Sequence, residues 1–147
     1  MTIQLTSCAF KEGETIPRRH TCDGENLSPT LSWSGVPHGT VSLALNADDP
    51  DAPAGTWVHW VLVDLASEIT GLPEGVSGVG VDGVNGFRKP GYGGPCPPKG
   101  STHRYYFKLY ALDKTLGLKA GMSKADVEKA MQGHILAQGQ LMGRYGR

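Results

Sequence analysis

The sequence predicts an all-β domain, and three observations carry that expectation. Glycine (21) and proline (10) together exceed a fifth of the 147 residues, with no repeat or low-complexity tract to account for them. They fall between short apolar segments, as turns do between strands. Those segments are rich in Val, Leu, Trp, Tyr and Phe, which suit a pleated, half-buried surface. No linker or shift in composition divides the chain, so residues 1–147 are expected to form one domain. A chain of this length can bury about 68–70% of its unfolded surface.

Taken in order, strands are expected at residues 3–7, 31–33, 42–48, 57–64, 81–85 and 105–112. The segment 57–64 is apolar at most positions, the pattern of a strand covered on both faces. Ser123-Lys124-Ala125-Asp126 reads as a capping box with Asp in the place of Glu, so a helix should start there and run through "VEKAMQ". Gly133 supplies its stop. The final "HILAQGQLMGRYGR" contains three glycines, which oppose a helix and favour a last strand.

Charge and composition exclude several classes. Fourteen Lys+Arg balance fourteen Asp+Glu, and Arg18-Arg19 is the longest basic run. Such a chain has no basic excess with which to release counterions from a nucleic acid. The N-terminal "MTIQLTSCAFKEG" lacks the basic and apolar regions of a secretory signal, and no apolar run approaches membrane length. The expectation is a soluble, cytoplasmic protein without membrane insertion. Cys8, Cys22 and Cys96 form neither an even set nor a CxxC pair, so ordinary reduced thiols are expected. If one pair bridges, it should be Cys22 with Cys96.

Two stretches could carry chemistry: "DDPDAPAGTWVHWVLVD" and "GPCPPKGSTHRYYFKLYAL". Each runs from a proline-rich loop into an apolar strand with a histidine near its start. Proline fixes φ and glycine permits tight turns, so these loops are ordered at low entropic cost. On the period-two rule His103, Tyr105, Phe107 and Leu109 share one face, and Trp57, His59, Val61 and Val63 share another. If the strands are neighbours, Asp49, His59, His103 and Tyr105 converge at one end. The amides of Gly93, Gly94 and Cys96 would be donors to an anion there. Arg104 points the other way and should face solvent or an ion pair. His20, His38 and His134 lack the loop context and are expected to be structural.

Several mechanisms fail on inspection. There is no GxSxG elbow, no GxxxxGK[ST], no GxGxxG before a helix and no HExxH. Two histidines and a carboxylate can hold a metal, but here they come from separate strands without a metal-site spacing. No cofactor or resident metal is expected.

The paired motifs resemble the two signature regions of the phosphatidylethanolamine-binding proteins, and more closely their bacterial and archaeal, Raf kinase inhibitor-like branch. "HTCDGENLSPTLSWSGVP" and "GHILAQGQLMGRY" match that branch as well, so the likeness covers nearly the whole chain. It implies an antiparallel Greek-key β-sandwich with one or two short peripheral helices and a small anion pocket at one end. Position by position, the pocket residues would be Asp49, His59, His103 and Tyr105, walled by Gly94, Pro95, Pro97 and Pro98. Cys96 departs from the eukaryotic pattern by interrupting its "GPP". The motifs also place the Cys22 and Cys96 loops near one another.

The function expected on this basis is a non-catalytic binding or regulatory protein for a small anionic, phosphorylated or phosphoethanolamine-like ligand. Two alternatives stand beside it: inhibition of a protease or kinase by protein contact, and a metal-assisted or acid-base enzyme using the same histidines. A homodimer is compatible with all three.

Overall fold

A computed structural model describes residues 2–147. In chain order its elements are β1 (Gln4–Thr6), β2 (Leu31–Ser34), β3 (Ser42–Asp49), β4 (Trp57–Ala66), β5 (Gly71–Leu72), β6 (Val81–Asp82), β7 (Thr102–Leu112), α1 (Lys124–Met131) and β8 (Ile135–Gly146), with a 3-10 turn at Arg18–His20. The strands form two sheets, β1-β2-β5 and β6-β4-β3-β7-β8. Every strand pair within them is antiparallel.

Burial follows from position in the sheet. β3 lies between β4 and β7, and all eight of its residues are buried. Leu43, Leu45 and Ala47 enter a core shared by both sheets, together with Leu5, Leu31, Trp33, Phe107 and Leu109. Ala44 turns to the opposite face, where Val61, Val63, Val127 and Met131 form a second, smaller core beneath α1. β7 alternates as far as Ala111, burying His103, Tyr105, Phe107, Leu109 and Ala111. Truncating a fully buried leucine such as Leu109 (0% exposed) would remove about 2–5 kcal/mol from such a core.

α1 begins where the capping box is expected. The Ser123 hydroxyl accepts from the Asp126 amide, and the Asp126 carboxylate accepts from the Ser123 amide. Val127 and Met131, four residues apart, are the face that packs on the sheet.

β4 departs from simple alternation. Ala47 pairs with Trp60, but the next residue, Asp48, pairs with Val58, so His59 is an extra residue opposite β3. This is a β-bulge. A second shift lies between Leu43 and Leu45, where Asp64 adopts a positive φ of 55° and its carboxylate accepts from the amides of Leu116 and Gly117. The first bulge corrects the expected grouping of Trp57, His59, Val61 and Val63. Val61 and Val63 belong to the core under α1, whereas His59 lies against Tyr105 on the other side.

Two further expectations change. The strand expected at residues 81–85 stops at Asp82. Beyond it the backbone passes against α1's leading loop: a Cβ on Gly83 would lie 2.6 Å from the Met122 carbonyl oxygen. The Asn85 side chain then closes a tight loop by accepting from the amides of Phe87 and Lys89. Cys22 and Cys96 are joined by a disulfide with Cα atoms 5.4 Å apart, which overturns the reduced-thiol reading for that pair. Cys8 is free and exposed.

Candidate functional site

The ends of β3, β4 and β7 meet at a cavity of about 200 Å³. Asp49, His59, His103 and Tyr105 all line it, as do Pro97 and Pro98 of the glycine-proline wall. The four polar residues are almost wholly enclosed, with 2–6% exposure. Among its lining residues there is no serine, no threonine and no free thiol.

Each histidine is fixed through Nδ1, by a different partner. His103 Nδ1 lies 2.7 Å from Asp49 Oδ2, a carboxylate on the neighbouring strand. The other oxygen of Asp49 accepts the Asp51 amide at 2.8 Å and so shapes the turn after β3. His59 Nδ1 lies 2.7 Å from the Gly93 carbonyl, which belongs to the wall. A carbonyl can only accept, so Nδ1 of His59 carries the proton; beside a carboxylate the same holds for His103. Nε2 is therefore the free ring nitrogen of both residues. The Tyr105 hydroxyl is buried and makes no hydrogen bond of good geometry within the protein, although the Cys96 backbone lies close enough to oppose the rise in its pKa.

Burial dominates the electrostatics. It holds His59 below the ordinary histidine pKa, against the pull of the Gly93 carbonyl and the charges of Asp49 and Asp48. Burial also pushes the Tyr105 phenol up, assisted by Asp49 and Asp51, so it stays an O–H donor. Arg104 faces away, as alternation requires. It grips Asp51 through Nε and NH2 at 2.9 and 2.8 Å, and holds that carboxyl down at about 2.

The wall differs in detail from the expectation. Gly94 and Pro95 stand behind the cavity and do not line it. The Gly94 amide donates to Asn26 Oδ1, and the Pro95 carbonyl accepts from the Cys22 amide. A side chain on Gly94 would collide with the His20 carbonyl and Asn26, which is why the position requires glycine. The Gly93 amide is also occupied, donating to the His59 carbonyl at 2.8 Å. Two of the three amides expected to face an anion are thus committed to structure. Cys96 itself lines the cavity and ties the wall to Cys22. No cis peptide bond occurs among the described residues.

Sequence reasoning missed the rim. Trp57 and Phe87 line the cavity while remaining 37% and 40% exposed, with rings 5.5 Å apart at 65°. Gly86 packs beneath the Trp57 ring and Gly93 beneath Phe87, so small residues seat both aromatics. The clue available was Gly86-Phe87, a turn residue preceding an aromatic just after the segment read as strand. His20 is buried, with Nδ1 on the Leu27 carbonyl, and His134 pairs with Asp113 away from the cavity.

Comparison with known proteins agrees with this architecture. Residues 6–146 match the family model described as phosphatidylethanolamine-binding protein. A protein from Methanothermobacter thermautotrophicus is 50% identical, with 99% of each chain covered. One from Aquifex aeolicus is 48% identical over 99% of this chain and 89% of its own. Among solved structures, CT736 of Chlamydia trachomatis superposes with a TM-score of 0.95 at 42% identity, covering 99% of this chain and 98% of its own. YbcL of E. coli gives 0.92 at 35%, covering 100% and 99%.

Proposed function

The chain belongs to the phosphatidylethanolamine-binding protein family, and from that premise we propose that it is a binding protein whose histidine cavity takes a small phosphate-like anion together with a proton. The observation that carries this reading is the commitment of both Nδ1 atoms to the protein. When neutral, each imidazole offers only an Nε2 lone pair to a ligand, which repels an anion's oxygen. Protonation turns that nitrogen into a cationic donor. The Tyr105 hydroxyl supplies a neutral donor at any physiological pH. A charged His103 would stand beside the Asp49 carboxylate, whereas a charged His59 would have only a carbonyl at its Nδ1. His103 is therefore the ring assigned to carry the added proton. A phosphomonoester monoanion can bring that proton itself, through its P–OH.

Asp49 is not a direct ligand for the anion. Two like charges about 4 Å apart repel by roughly 4 kcal/mol at an effective dielectric of 20. Its role is to fix the His103 ring. The absence of serine, threonine and free thiol from the lining removes the hydroxyl and thiol nucleophiles of acyl-transfer enzymes, which favours binding over that class of catalysis. The strand order β6-β4-β3-β7-β8, which is not sequential, supports reading the connectivity as a Greek-key sandwich. The disulfide supports an oxidising compartment, or a hyperthermophilic cell, over the reducing cytoplasm of a mesophile.

Calorimetric titration with sulfate, which does not protonate in this range, tests the reading. Binding should be tighter at about pH 5.5 than at about pH 8, values that bracket the ordinary histidine pKa. His103→Ala should remove the difference. Binding that is independent of pH, or unchanged in the variant, rejects the proton-linked anion site. Turnover of a phosphoester that His103→Ala abolishes would favour the enzyme instead.

A further inference from the structure

Asp48 and Asp49 are consecutive on β3, so their side chains leave the strand on opposite faces. Asp49 enters the histidine cavity. Asp48 lines a different cavity on the α1 side of the large sheet, about 350 Å³ in volume. Arg104, Tyr106, Lys108 and Lys124 line it with Asp48. None of these residues belongs to the histidine site.

Asp48 is 2% exposed, and its two oxygens are treated unequally. Oδ2 receives Lys124 Nζ at 2.8 Å and Lys108 Nζ at 3.5 Å. Oδ1 is buried with no hydrogen-bond partner. A carboxylate oxygen withdrawn from water without a donor is costly, and a structure that maintains one has a place for a missing donor. The surroundings define the rest of the ligand. Arg104 is occupied by Asp51, and Lys124 by Asp48 at contact distance. Lys108 is the looser cation, with its side chain 35% exposed and its ammonium 5.9 Å from the Tyr106 ring centroid. Three cations against two carboxylates leave the cavity net positive.

We propose that this cavity is a second ligand site, taking a small anion that also carries a hydrogen-bond donor. Dihydrogen phosphate, a phosphomonoester monoanion and a hydroxycarboxylate all have this combination. The anionic oxygens face Lys108 and the Gln140 amide at the cavity wall, and the ligand's O–H becomes the partner of Asp48 Oδ1; unlike Asp49, Asp48 has two lysine ammoniums beside it that offset its repulsion of an anion. Lys108 swings aside to admit it, because its contact with Asp48 is the longer of the two. A cation is disfavoured by the net charge, and an anion without a donor leaves Oδ1 unsatisfied.

The test is a titration of the ¹⁵N-labelled His103→Ala protein followed by NMR, so that the histidine cavity does not compete. Inorganic phosphate at about pH 5.5, where it keeps a P–OH, is compared with sulfate, which has no donor. Phosphate should shift the backbone amides of Lys108, Lys124 and Gln140 saturably. Sulfate should bind about fivefold more weakly, the equivalent of one net hydrogen bond. Adding Lys108→Ala should weaken phosphate by at least about fivefold on the same basis. Adding Asp48→Asn should abolish the preference for phosphate over sulfate; if that variant does not fold, the Lys108 variant decides alone. The absence of saturable shifts at these amides, equal binding of the two anions, or full affinity after Lys108→Ala each overturns the proposal.

Discussion

β4 and β7 each deliver one histidine to the same cavity, by different means. On β7 the ladder is continuous from Thr102 to Ala111, and His103 falls inward because every second residue of that stretch does. Its anchor, Asp49, sits on the adjoining strand, so ring and anchor belong to one rigid sheet. On β4 the ladder is broken, and His59 faces the cavity because it is the bulged residue. Its anchor, the Gly93 carbonyl, lies in a loop whose own position depends on Asn26 and the Cys22–Cys96 bridge. One histidine is held by strand geometry, the other by a stapled loop. The two halves of the site should therefore respond to different perturbations.

The largest expected effect comes from removing the staple. The bridge spans a sequence separation of 74 residues. Chain-entropy reasoning for such a loop gives about 4 kcal/mol of stabilisation. Cys22→Ser/Cys96→Ser should lose roughly that amount in denaturant unfolding. The His59 ring resonances should move while those of His103 stay in place. Equal movement of both rings would erase the distinction between loop-held and strand-held histidines.

Asp49→Ala should act in the opposite sense. It removes a hydrogen bond to a charged group, worth about 1.5–3 kcal/mol, and the turn bond to Asp51, worth about 1 kcal/mol. Unfolding free energy should fall by about 3 kcal/mol, with the His103 tautomer lost and His59 Nδ1 still protonated in ¹⁵N spectra. A loss below about 0.5 kcal/mol, the range of ordinary surface changes, would show that the carboxylate is not the anchor.

The smallest effect is a pH dependence. Burial places the folded pKa of His59 below its unfolded value of about 6.5. The unfolded chain then binds more protons between those two values, so stability falls as pH drops through that window. Above about pH 6.5 the contribution is complete. His59→Gln should flatten this part of the stability profile. An unchanged slope between pH 5 and 7, the span around the ordinary histidine pKa, would assign it to another group.

How far the sequence could be read follows the same division. The continuous features were legible: the β7 face, the apolar β4 segment, and the Ser123–Asp126 capping box, whose signal is local. The convergence of Asp49, His59, His103 and Tyr105 on one cavity was legible because two unusual loops each feed a histidine. What periodicity could not reveal were the places where residue count changes. The bulge at His59 puts it opposite Val61 and Val63, although their spacing is even. The wall residues Gly94 and Pro95 were assigned to the lining by the family resemblance of their motif, but their polar groups serve Asn26 and Cys22. Trp57 and Phe87 come together from distant segments, seated on glycines that look like any other turn residue. Gly71–Leu72 is a two-residue strand that exists only because β2 offers an edge.

The bulge also sets which genetic changes can move the site. Exchanging one amino acid for another leaves the number of residues between Asp48's partner and Ala47's partner untouched, so His59 keeps its aspect however the neighbouring letters drift. Loss of a single codon at Val58 would restore an even ladder and could carry the imidazole to the helix side with its chemistry intact. The orientation of this histidine is thus encoded in a length, and reading frames that conserve every nearby letter but alter that length would not conserve the site.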